Sequence, residues 1–179
     1  MDTFLPENYE VPSSNDKYMK FQKGENRFRI LSSPIIGYEW WEEVNDKKTP
    51  KRIPLGVPIP VAEISDPESI KHFWAMGVYN YTNKKIQILE ITQKGIQKTL
   101  RALAKDEDWG SPVLKYDIVV TKIGDGMETK YEVLPKPATP LLEGVQQAYK
   151  DMEIRLEALY EGKDPFSKEE VIKPEEVDI

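Results

Sequence analysis

The fold is decided by residues 71–91, KHFWAMGVYNYTNKKIQILEI. Two β-rich runs, 72–82 and 85–92, flank Thr82-Asn83-Lys84, a polar turn between alternating segments, so the stretch predicts a β-hairpin. Successive strand side chains point to opposite faces. Phe73, Ala75, Gly77, Tyr79 and Tyr81 therefore share one face, and His72, Trp74, Met76, Val78 and Asn80 the other. The second face has the composition of ordinary core. The first sets aromatic rings around two small residues, an arrangement that lets a flat ring approach the backbone. Core packing is also the ordinary destination of any one of these aromatics.

Working outward, 93–105 predicts a helix. Ile96, Leu100, Leu103 and Ala104 form its apolar stripe, and Lys94, Lys98, Arg101 and Lys105 cluster on the opposite side. A second hairpin follows, 115–123 and 127–134 around Gly124-Asp125-Gly126. Upstream, Phe28 and Ile30 mark a strand that ends near Ser33, and a second strand spans roughly 36–44. Residues 45–60 read as a polar loop whose four prolines (Pro50, Pro54, Pro58, Pro60) forbid a central strand.

Beyond residue 136, Thr139 reads as a helix N-cap with Pro140 in the first turn. The seam Leu142, Val145, Tyr149, Met152, Leu156, Leu159 extends that helix to Gly162. The organisation expected is a flexible N-terminal arm (1–16), a β domain (17–136), a C-terminal helix (137–162) and an acidic flexible tail (163–179). Short strands with one helix between two hairpins predict a mainly β chain, an OB-type five-stranded barrel with an inserted helix and a C-terminal helix.

Composition narrows the chemistry. Among 179 residues there is no cysteine and a single histidine, His72. Disulfides, thiol nucleophiles, iron–sulfur clusters and Cys/His zinc sites are excluded. Neither a P-loop nor a G-x-G-x-x-G motif occurs. The cluster Asp106-Glu107-Asp108 beside Trp109-Gly110 reads as a solvated turn rather than a paired-carboxylate catalytic site. The chain is expected to be no enzyme and to need no cofactor or metal. No apolar run approaches the ~20 residues of a membrane span, and the acidic N-terminus is unlike a secretory signal, so a cytoplasmic location with no membrane partner is expected.

The net charge of −6 is segregated. Residues 1–16 carry four acids and no base, 17–136 carry 20 bases against 16 acids, and 137–179 carry 5 bases against 11 acids. A mildly basic body with an acidic tail suits a protein that meets a polyanion, and solvated loops give the same pattern. Aromatic residues interleave with the bases. Tyr38, Trp40 and Trp41 lie on the strand at 36–44, where parity sends Trp40 and Trp41 to opposite faces. Arg27 and Arg29 share a face of the first strand. Lys47, Lys48, Lys51 and Arg52 fill the loop after the Trp pair, and Lys71 precedes the next strand. Stacking rings among phosphate-neutralising cations make a single-stranded nucleic-acid site. The expected DNA-binding set is Arg27, Arg29, Tyr38, Trp40, Trp41, Lys47, Lys48, Lys51, Arg52, Lys71, Phe73, Tyr79 and Tyr81.

The stretches YMKFQKGENRFRILSSPIIGYEWW (18–41) and KHFWAMGVYNYTNKKIQILEITQKGIQKTL (71–100) resemble phage and prophage single-stranded DNA-binding proteins. The resemblance covers roughly 17–136. It implies an OB-fold, sequence-independent binding of single-stranded DNA and a role in phage DNA replication or recombination in a bacterial host. A structural zinc found in some phage single-strand binders is ruled out by the missing cysteines. The resemblance also implies that the acidic tail recruits replication or recombination proteins. The terminus Lys173-Pro174-Glu175-Glu176-Val177-Asp178-Ile179 lacks the Pro-Phe end of the bacterial type. The alternative is an OB-type interaction module, a replication or recombination adaptor whose aromatics are core and whose tail does the binding.

Overall fold

A computed structural model describes Phe4 and residues 14–166. The rest of the predicted N-terminal arm and of the acidic tail lies outside the described residues. The chain is mainly β, an open mixed sheet with few helices.

The sheet is organised around β5 (Lys71–Asn80), which turns back through Lys84 (φ 57°) into β6 (Lys85–Ile91) and pairs with it from Trp74↔Ile91 to Asn80↔Lys85. The predicted hairpin is thus present. On its other edge β5 meets two strands in succession. Its first half pairs with β3 (Ile35–Val44) and its second half with β2 (Gly24–Ile30). Between them the chain turns a corner at Leu31–Pro34, held to β5 where the Leu31 amide donates to the Gly77 carbonyl (2.8 Å) and the Gly77 amide to Ser32 Oγ (2.9 Å). The two halves then diverge. The free edge of β2 takes β7 (Asp117–Ile123), which pairs with β8 (Lys130–Pro135), and the free edge of β3 takes β4 (Lys47–Pro54). The short β1 (Tyr18–Met19) runs parallel to β6.

The strand β4 corrects the predicted loop at 45–60. Asn45 and Asp46 both take positive φ (52° and 63°), the conformation of a tight hairpin turn, so the chain folds straight back on β3. Pro50 and Pro54 are tolerated because β4 pairs with β3 alone, leaving an edge where a missing N–H is harmless.

Both faces of β5 are buried. Met76 and Val78 join Phe28, Ile30, Leu89, Ile91, Ile118 and Val120 in the main core, closed by Ile96 and Leu100 of α1 (Lys94–Lys105). Ile88, Phe73 and Ala75 on the other face are covered by Leu156 and Leu159. The predicted open aromatic face is therefore occupied by the chain's own C-terminal segment.

The single C-terminal helix predicted for 137–162 is replaced by α2 (Val145–Met152) and a short tight helix over Leu156–Glu161. Thr139 cannot cap a helix because its hydroxyl and carbonyl both accept from the Arg29 guanidinium (2.8 and 2.9 Å). The helix starts instead after Gly144 (φ 85°) and is broken at Glu153 (φ 50°). The first residues of the predicted flexible tail are packed, with Asp164 3.2 Å from Lys17 Nζ and the Phe166 ring edge-on to Tyr18. Among the described residues no helix is long and apolar enough to cross a membrane.

Where α2 crosses β5, Tyr149 lies over Gly77, and a Cβ on Gly77 would stand 2.5 Å from the Tyr149 ring. Because that ring sits on an exposed helix and can swing away, Gly77→Ala should cost about 1 kcal/mol, the low end of overpacking penalties. The cost should vanish in a Tyr149→Ala background. Urea unfolding of the double-mutant cycle measures it, and a cost that persists without Tyr149 would place the strain in β5 itself.

Candidate nucleic-acid interface

The cations of the predicted site divide by whether an acid already holds them. Arg29 is fully buried, its Nε 2.5 Å from Asp117 Oδ1, and Arg27 reaches the other Asp117 oxygen at 2.7 Å. The Tyr81 hydroxyl donates to the same carboxylate (2.9 Å), and desolvation together with that bond pushes its pKa up to about 12. Tyr79, also buried, packs edge-on against Tyr81 (5.0 Å between centroids). Arg27, Arg29 and Tyr81 thus form one network around Asp117, while Phe73 and Tyr79 are buried.

Arg52 is similarly engaged. It donates to Glu39 Oε2 (3.3 Å) and Glu90 Oε2 (3.1 Å), with its guanidinium over Phe73. Glu90 Oε1 is buried with no donor unless Glu39 carries a proton. Burial and the neighbouring Glu90 carboxyl raise the Glu39 pKa to about 8, against the opposing pull of Arg52. Arg52, expected as a phosphate contact, lies between Glu39 and Glu90 with 11% of its side chain exposed.

Strand parity resolves the two tryptophans. Trp40 is 4% exposed and its Nε1 donates to Glu42 (2.8 Å), whereas Trp41 is 51% exposed on the opposite face, beside Glu39 and Glu90. Lys47, Lys48 and Lys51 are exposed along β4, with Lys48 directly opposite Glu43.

Tyr38 and Lys71 lie elsewhere, in a groove of about 770 Å³ between the start of α1 and the first residues of β5. The Tyr38 ring packs tilted against His72 (5.1 Å between centroids), and Trp74 lines the same groove. Lys71, Lys94, Lys98 and Arg101 line the same groove, and no acidic residue does. All four are exposed, and none forms an ion pair among the described residues. Helical spacing sets three of these cations on one side of α1, and the pairing of β3 with β5 brings Tyr38 opposite His72. Of the expected site, the groove unites only Tyr38 and Lys71. It adds His72, Trp74, Lys94, Lys98 and Arg101. The basic stripe of α1 was the sequence signal for three of these, whereas Trp74 read as core. Among the described residues His72 Nδ1 is buried with no hydrogen-bond partner.

Among the described residues no group of three or more His, Cys, Asp or Glu side chains is placed to hold a metal ion. Comparison with protein-family models and with curated proteins returned no match.

Two measurements check this geometry. Trp40→Ala should cost about 3–5 kcal/mol of stability through the cavity it leaves. Trp41→Ala should stay within about 1 kcal/mol, and equal unfolding costs would contradict the parity. The second is a pH profile. Folded Glu39 keeps its proton to about pH 8, while an unfolded glutamate releases it near 4.5. The folded state thus binds the extra proton between these values, and stability falls as pH rises through that window. The melting midpoint should drop by about 3–6 °C for each 1.4 kcal/mol lost. Glu39→Gln, which keeps the neutral hydrogen-bonding form, should flatten the profile.

Proposed function

We propose that this protein binds single-stranded DNA without sequence preference, as a non-enzymatic protein of the phage replication or recombination type, and that the strand lies in the groove of Tyr38, His72 and Trp74. The observation carrying this reading is the set of four cations, Lys71, Lys94, Lys98 and Arg101, that form no ion pair among the described residues and line a groove with Tyr38, His72 and Trp74 and no acid. A single strand offers what the groove lacks, phosphates for the cations and ring faces for the aromatics.

The strand order supports an OB-type barrel. The bent β2–β3 acts as a first strand shared by β5 and β7, α1 separates the β5–β6 hairpin from β7–β8, and Phe21 bridges toward Tyr131 across the open side (5.9 Å). In such barrels the outer face of the second and third strands is the usual ligand platform. Here Leu156, Leu159 and Tyr149 lie on that face, which favours the neighbouring groove as the strand's path. The acidic residues beyond 166 are left to meet a replication or recombination partner. The covered platform also favours the second reading, an interaction module of the OB type that holds no DNA.

Titration of the full chain with labelled oligo-dT between 50 and 300 mM salt separates the two. Four neutralised phosphates give a log–log slope of about −3, at about −0.7 per contact. Lys94→Gln/Lys98→Gln should halve that slope and weaken binding to dT and to mixed sequence alike. No binding at 50 mM salt, or a slope near zero, would leave the interaction module as the function.

A further inference from the structure

The groove continues past Trp74. A second cavity, about 260 Å³, opens between α1 and the corner that joins β2 to β3, and Trp74 and Arg101 line both. Ile36, Leu100 and Pro112 give it apolar walls, and Met76 is among the buried residues lining it. The polar side chains that line it are Ser33, Ser111 and Arg101. The volume falls short of the ~300–1,000 Å³ of pockets for drug-sized ligands, so it suits one planar ring system.

The cavity opens beside cations that pair with no acid among the described residues, so an occupant that is apolar, flat and tethered to an anion suits it. Resting on the single-strand reading of the groove, we propose that this cavity is a nucleobase pocket that takes one base turned out of the bound strand while Arg101 and Lys98 hold the adjoining phosphates. Serine hydroxyls donate or accept equally well. Ser33 and Ser111 therefore satisfy the edge of any base, and the pocket is tolerant of sequence.

Ala104 lines the cavity from an exposed helical position, so enlarging it fills the space without entering the core. The test compares full-length wild type, Ala104→Phe and the smaller Ala104→Leu, each checked for an unchanged melting midpoint. Labelled dT20 and an abasic strand of the same length are the probes. Wild type should prefer dT20, and Ala104→Phe should weaken dT20 binding about tenfold, the scale of one stacked base. Its affinity for the abasic strand and its salt slope should stay at wild-type values, since the groove cations are untouched. Ala104→Leu should fall between. Equal losses on both strands, or no loss on dT20, would overturn the pocket while binding and its salt slope leave the groove reading intact. Wild type that binds neither strand would overturn the single-strand reading and the pocket with it.

Discussion

The buried Arg29–Asp117 pair governs how the outer face of the sheet is covered. Taking an arginine and an aspartate out of water costs several kcal/mol per ion unless every donor and acceptor is satisfied. Here Arg29 spends its donors on Asp117, on the Leu114 carbonyl and on both oxygens of Thr139, while Asp117 also accepts from Arg27 and Tyr81. Thr139 is thereby withdrawn from helix capping and pinned against the sheet. Leu156 and Leu159 come to rest on Phe73, Ala75 and Ile88. One ion pair between β2 and β7 therefore links the sheet to the segment that follows it.

What the amino-acid order made legible was local. The β5–β6 and β7–β8 hairpins, the helix at 94–105 and the opposite facing of Trp40 and Trp41 all follow from periodicity, turn residues and strand parity. Parity says that two faces exist without saying what covers each. The partner of Arg29 at Thr139 lies 110 residues away, and no nearby pattern announces it. Residues 47–54 hid a strand because proline argues against pairing in general, whereas an edge needs only one paired side. Arg52 looked free because Glu39 and Glu90 lie 13 and 38 residues from it and meet it only once three strands are aligned.

The same reasoning sorts the positive charges. A count of bases treats Arg27, Arg29, Arg52 and Lys94 as equals. In the folded chain the first three are bound to carboxylates and hold the structure together, while Lys94, Lys98, Arg101 and Lys71 form no ion pair among the described residues. A mild excess of four positive charges over 17–136 thus becomes a directional field, which a diffusing polyanion senses over roughly a Debye length, about 8–10 Å at physiological salt.

The two outermost strands carry a further consequence. Among the described residues β4 and β8, like the two-residue β1, each have a single neighbour in the sheet, so each exposes a row of backbone groups that another chain can pair with. β4 interrupts that row with Pro50 and Pro54 and dots it with Lys47, Lys48 and Lys51. β8 is only six residues long, carries Lys130 and Glu132, and ends at Pro135. On these two edges neighbouring copies are thereby offered a poor template for edge-to-edge pairing.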